Sequence, residues 1–219
     1  MDQTTGQAPT ILSTSDIRRL LTRPLPGAAA QMRMAPERSV GGTLNTTDPA
    51  ARRQAGVLIL LFPRGDRVHF VLTRRTDQVA YHKGQISLPG GTRQDDERLP
   101  DTALRETGEE LGIPTADVDL VGHLSPLFIP TSNYCVHPFV GSLASAPAFH
   151  PNPVEVAEVL EVSLASLLDS AARKVEYWQY PDSEDRRRVP FFSFHGWVVW
   201  GATAMILSEI VTLLEQCPA

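Results

Sequence analysis

Apolar and polar positions divide the chain into runs of two periods. Gly56 to Phe62 (GVLILLF) is continuously apolar over a strand's length, the pattern of a strand covered on both faces. Pro63-Arg64-Gly65-Asp66 turns the chain back, and Val68 to Thr73 follows as the hairpin partner. Val118–Leu124 and Tyr134–Leu143 read as further strands, with a loop from Pro126 to Asn133 between them. Val154 to Val159 alternates, which points Glu155 one way and Val154 and Val156 the other. A short amphipathic helix is expected over Ser163–Arg173. Strands Val175–Tyr180 and Val189–Phe194 then flank the charged turn Asp182–Arg188. Trp197–Trp200 should complete the sheet. Gly201–Glu215 forms a closing helix with Ala204, Leu207, Ile210, Val211 and Leu214 as its apolar stripe.

The N-terminal 51 residues read differently. Ser15-Asp16 is placed to cap a short helix through Leu21, with Arg18 and Arg19 facing solvent. Pro24 to Ala50 is rich in Pro, Gly, Ala, Ser and Thr and reads as an irregular arm. Two readings of it stand open, a wrap around its own domain or a contact with a second subunit in a homodimer. Residues 1–51 are therefore assigned to an extension and 52–219 to the domain.

Composition narrows the classes. The 219 residues, 42% hydrophobic and 21% charged, suffice for a full core, and the net charge of −5 argues against a nucleic-acid binder. Two cysteines, Cys135 and Cys217, are too few for a disulfide framework and point to a reducing cytoplasm. No apolar run has the length of a membrane span, and no basic-then-apolar signal opens the chain.

The chemistry gathers between Gly84 and Ile113. From Asp101, whose carboxylate can cap it, a helix should run to Gly112 with Ala103, Leu104, Thr107 and Leu111 inward. Measured from Leu104, Glu106, Glu109 and Glu110 fall at roughly 200°, 140° and 240° on helical geometry. Three carboxylates at i, i+3 and i+4 repel one another, and Arg105 alone is too little to offset them. A hard divalent cation with oxygen ligands would. The tight bend Pro89-Gly90-Gly91 lets backbone approach an ion closely.

Gly91, Glu97, Arg105, Glu106, Glu109, Glu110 and Gly112 together form an array that chance matches at about one start in 10⁸, taking each residue type at its usual frequency. Gly91 to Ile113 resembles the Nudix box, with Thr107 at its first aliphatic position as the soft departure. The resemblance implies an α/β/α sandwich with a mixed sheet and a catalytic loop-helix-loop. It also implies hydrolysis of a nucleoside diphosphate linked to another moiety, with Mg²⁺ or Mn²⁺. Carried over, Glu106, Glu109 and Glu110 become metal ligands and Gly91 offers its carbonyl. Arg105 and Glu97 become the groups that orient the carboxylates. An extra glutamate from outside the box, Glu155 or Glu158, is expected at the metal cluster. Glu109 and Glu155 are the candidates to take the proton from water.

A narrower resemblance covers Val71-Leu72-Thr73-Arg74-Arg75-Thr76, His82-Lys83-Gly84-Gln85 and Leu88-Pro89-Gly90-Gly91, which is similar to the segment preceding the box in the coenzyme A pyrophosphatase branch. Trp200-Gly201-Ala202-Thr203-Ala204 looks like that branch's closing helix start. Ala80 stands where the branch has Arg, and Leu88 where it has Phe. The branch implies coenzyme A or acyl-CoA cut to 3′,5′-ADP and 4′-phosphopantetheine, with Arg74, Arg75, His82 and Lys83 as substrate contacts. The alternative keeps the enzyme and changes the substrate to ADP-ribose, NADH, a dinucleotide or a nucleoside triphosphate.

Overall fold

The computed structural model describes residues 13–37, 52–76, 84–179 and 185–216. The long apolar run becomes strand β1, Arg53–Arg64, and the turn after it delivers β2, Arg67–Arg75. The two pair antiparallel only from Leu61↔Phe70 to Arg64↔Arg67. Beyond that they splay, and short strands fill the gap. β3 (Ile86–Ser87) pairs with β2, and β4 (Gly90–Thr92) pairs with β1 through Gly56↔Gly91. The opening in the sheet is thus lined by the glycine bend.

Helix α3, Leu99–Leu111, packs across one face of β1. The remaining strands are β5 (Asp119–His123), β6 (Leu127–Ile129), β7 (Tyr134–Ser142) and β8 (Val156–Ser163). β7 runs parallel to β1 over nine pairs from Arg53↔Tyr134 to Leu61↔Ser142, and the other pairings are antiparallel, so the sheet is mixed. β8 lies along β2 from His69↔Ser163 to Arg75↔Val156, with an irregularity between Arg74 and Arg75. β6 lies within the stretch expected to be only loop.

Alternate residues of the central strands fill two cores. Leu58, Leu60, Phe62 and Val71 meet Ala103, Leu111 and Ile113 under α3. Ile59, Leu61, Phe70 and Leu72 meet Leu207, Ile210 and Val211 of the closing helix α5, Gly201–Leu214, on the other face. Two helical layers around a mixed sheet make the expected α/β/α sandwich.

Several expectations are corrected. The segment expected to be one helix is α4, Leu164–Leu168, then a 3-10 turn at Ser170–Ala172; Asp169 ends the first and caps the second. Strands β9 (Arg173–Gln179), β10 (Arg186–Phe194) and β11 (Trp197–Trp200) form a separate three-stranded antiparallel sheet and do not complete the first. Val154 is exposed while Val156 is buried, because residues 153–155 are a turn and β8 begins only at Val156.

At the N-terminus, α1 (Thr14–Leu21) is capped by Ser13 instead of Ser15-Asp16. Asp16 completes the reciprocal box, accepting from the Ser13 N–H while Ser13 Oγ accepts from its own N–H. Arg18 and Arg19 make surface ion pairs with Asp119 and Asp16. Within the stretch expected to be irregular, Gly27–Gln31 forms a helix, α2, and Met32–Met34 a 3-10 turn. This part of the arm wraps its own domain: Glu209 of α5, fully buried, accepts from Gly27 N, Gln31 Nε2 and Ser125 N at 3.1, 2.8 and 3.2 Å. Ile17, Leu20 and Met34 join the same core as α5, so the division drawn at residue 52 separates two stretches that share one interior. Among the described residues no helix is long and apolar enough to cross a membrane.

Candidate functional site

Helix α3 starts at Leu99, two residues earlier than its capping pattern suggests. Arg98 occupies the N-cap without a side-chain bond, Pro100 supplies a preset φ in the first turn, and Asp101 lies inside that turn as a favourable charge instead of capping it. Gly112 ends the helix at φ 62, a left-handed conformation where a Cβ would collide with the His150 backbone. Thr107 tolerates its aliphatic position because its hydroxyl bonds the Ala103 carbonyl at 2.6 Å. Close packing on the sheet depends on Gly56, where a Cβ would come within 2.6 Å of the Leu99 carbonyl oxygen.

The three box glutamates are unequal. Glu109 is 57% exposed, Glu106 16%, and Glu110 only 2%. Helical periodicity sets them on one polar face, but β4 and residues 150–155 cover part of it. Glu106 lies over Gly91, and a Cβ there would be 2.5 Å from the Glu106 carboxyl carbon, so the carboxylate fills space that a side chain at 91 would contest. Burial raises the Glu106 pKa; Arg105 opposes the shift, and the charges of Glu109 and Glu155 add to it. Glu110 receives the Gly90 N–H and an Arg75 Nη1 bond at 3.4 Å. Burial still pushes its pKa up to about 8, with Glu155 and Glu106 contributing. Its second oxygen, Oε2, is buried without a hydrogen-bond partner. A buried acceptor left bare costs about 1–3 kcal/mol, more when charged.

Arg105 holds the opposite side together. Its Nε and Nη2 grip the two oxygens of Glu97 at 2.9 and 3.2 Å, and Nη1 reaches Glu106 and Glu109 at 2.9 and 3.0 Å. Nη2 also donates to the Thr92 carbonyl of β4 at 3.3 Å. The guanidinium beside Glu97 drives that carboxyl down to about 2, helped by the Thr102 hydroxyl. Glu97 therefore remains ionised as a fixed counter-charge that orients Arg105.

Glu155 joins this cluster, as its effect on both Glu106 and Glu110 records. Glu158 does not; it is the partner of Arg74 at 3.3 Å, and that guanidinium also lies 5.6 Å from the Trp197 ring centre. Arg75 faces the carboxylates and Arg74 a different set of groups. His82, Lys83 and Ala80 lie outside the described residues. Leu88 is buried in the core, so its departure from the branch pattern is one of packing. Residues that pattern reasoning passes over are Thr76 and Asn152. The signal for the second is the turn chemistry of Pro151-Asn152-Pro153.

An α/β/α sandwich that gathers Glu106, Glu109, Glu110 and Glu155 at one side of a helix, one of them with a bare buried oxygen, has the donor chemistry of a hard divalent cation centre. Among the described residues no three such side chains already converge as a cage, since Arg105 occupies the space between Glu106 and Glu109. Residues 52–181 match the NUDIX domain model, and the chain belongs to that family. Two similar relatives are uncharacterized Nudix hydrolases named NudL. The one from Photorhabdus laumondii is 34% identical over 74% of this chain and 86% of its own length. The other, from Pectobacterium atrosepticum, is 35% identical over 76% and 85%. A MutT protein crystal structure from Methanosarcina mazei aligns over 53% of this chain and 80% of its own, at 26% identity and a TM-score of 0.43. Nudix hydrolases act on pyrophosphate bonds and generally use divalent metal ions.

Proposed function

We propose that this protein is a cytoplasmic pyrophosphohydrolase that cleaves coenzyme A or acyl-CoA to 3′,5′-ADP and the corresponding 4′-phosphopantetheine. Mg²⁺ or Mn²⁺ would be held by Glu106, Glu109 and Glu110, with the Gly91 carbonyl beside them. The observation that carries the metal site is Glu110 Oε2, buried and bare within an acidic cluster. When bound, the ion neutralises diphosphate charge and acidifies water. Arg105, fixed by Glu97, aligns the Glu106 and Glu109 carboxylates. Glu109, the exposed carboxylate, and Glu155 are the groups suited to accept the proton of the attacking water.

The choice of coenzyme A rests on the run from Val71 to Gly91. Arg74 and Arg75 supply guanidinium groups at the end of β2, and hydrogen bonds to charged groups contribute about 1.5–3 kcal/mol each. If they read the 3′-phosphate, coenzyme A should exceed its 3′-dephospho form by about tenfold in kcat/KM. The test is a panel of coenzyme A, 3′-dephospho-coenzyme A, NADH, ADP-ribose and dGTP with each metal, with products identified by mass spectrometry. ADP-ribose outrunning coenzyme A would move the assignment to the wider Nudix substrates. Equal rates on the two coenzyme A forms would mean that the 3′-phosphate is not read.

A further inference from the structure

Glu155 precedes β8 in a turn that regular secondary structure does not fix, yet hydrogen bonds on both of its sides determine where that turn sits. The Asn152 N–H donates to the Glu110 carbonyl at 2.9 Å, and the His150 N–H to the Leu111 carbonyl at 2.8 Å. The turn is thus fastened to the last carbonyls of α3, which have no partner within the helix. Asn152 then organises the turn itself. Its Oδ1 accepts from Val154 N at 3.1 Å, and its carbonyl accepts from Glu155 N and Val156 N at 3.1 and 2.8 Å. Pro153 between these groups presets φ for such an Asx turn.

Thr76, just past the end of β2, closes the turn from the other side. Its N–H donates to the Glu155 carbonyl at 3.0 Å and its Oγ1 to the Val154 carbonyl at 2.7 Å. Thr76 is 9% exposed, so its hydroxyl is locked where it is. The peptide that carries Glu155 is therefore tied both to the backbone of Glu110 and to the strand that supplies Arg75.

We infer that Asn152 and Thr76 are positioning residues that hold Glu155 against the Glu106–Glu110 carboxylates. Their side chains grip the two polar groups of Val154, the residue immediately before Glu155, and so set the direction in which the glutamate leaves the turn. Neither side chain bonds a carboxylate of the cluster, so each acts through the placement of Glu155. The inference rests on the metal-dependent reading of the site.

The test uses the full chain with Thr76→Val, Thr76→Ser, Asn152→Ala and Asn152→Asp, each alone and combined with Glu155→Gln. Thr76→Val keeps shape and removes one donor, while Ser and Asp keep the hydrogen-bonding atom. Two quantities are read: Mn²⁺ affinity by calorimetry on substrate-free protein, and kcat on coenzyme A. Loss of an orienting group around a metal typically costs about 10–100-fold in affinity or activity. Thr76→Val and Asn152→Ala are each expected to lose that much in at least one of the two quantities, and Thr76→Ser and Asn152→Asp to recover most of it. In the Glu155→Gln background the same changes should have no further effect. Full additivity there, or no rescue by the conservative forms, would overturn the inference. Glu106→Gln is the control for the underlying reading: if it keeps wild-type Mn²⁺ affinity and kcat, that reading fails, whatever Thr76 and Asn152 do.

Discussion

Glu110→Gln should stabilise the metal-free protein while it removes activity. The carboxyl ionises at about 8 in the folded chain against 4.5 for the ordinary group, because it is buried and its Oε2 has no partner. Between those two pH values the folded state binds more protons than the unfolded state, so stability falls as pH rises. The carboxyl imposes no such cost below about pH 4.5, and its penalty is complete above about pH 8. Each unit corresponds to about 1.36 kcal/mol, which places the penalty at about 3 kcal/mol at pH 7. Glutamine keeps the shape and never ionises, and its Oε1 can still accept from Arg75. In EDTA the mutant should melt close to wild type at pH 5 and above it by about 5 °C or more at pH 8. Mn²⁺ should raise the wild-type melting temperature and leave the mutant unchanged, and kcat should fall about 10²-fold or more. The assay is thermal unfolding across pH with and without Mn²⁺. A gap that stays flat with pH, or a mutant less stable than wild type at pH 8, refutes the burial argument.

Arg105→Lys retains a charge but loses the fork that grips both oxygens of Glu97. More Mg²⁺ should be needed for half-maximal rate, and an unchanged Mg²⁺ titration would remove Arg105 from the machinery. The same pair predicts acid behaviour. Glu97 is depressed to about 2, so its contribution is full above about pH 4.5 and is lost as pH falls toward 2. Arg105→Lys should flatten the wild-type loss of stability over that range, measured by denaturant unfolding. Gly91→Ala puts a methyl where the Glu106 carboxyl lies, so Mn²⁺ affinity should fall by about tenfold or more. Calorimetry giving wild-type affinity would mean that Glu106 is free to move aside.

What can be read from sequence follows from local pattern. GVLILLF identifies a central strand because it is buried on both faces, and the box is legible because its chemistry is set by spacing along one helix. What cannot be read depends on what covers a face. Glu106, Glu109 and Glu110 share a polar side by periodicity, yet only Glu109 meets solvent broadly, because β4 and the turn at Asn152 close over the other two. Neither cover leaves a trace in the periodicity of the helix itself. The separate sheet β9–β11 escapes a sequence reading for the same reason. Its strands have ordinary strand composition, and nothing local says which edge they join. The N-terminal arm reads as irregular because Gly27-Ala28-Ala29-Ala30 lacks an amphipathic stripe; it is held as a helix by Glu209, 182 residues away from Gly27 in sequence. The nonlocal covers also make the acidic site possible. Exposed, three adjacent glutamates would be screened by water and bind a cation weakly; enclosed by β4 and the turn, Glu110 has an oxygen that the protein leaves unsatisfied. The acidic array is thus legible as a motif, while its bare buried acceptor arises only where the fold removes solvent from one of its members.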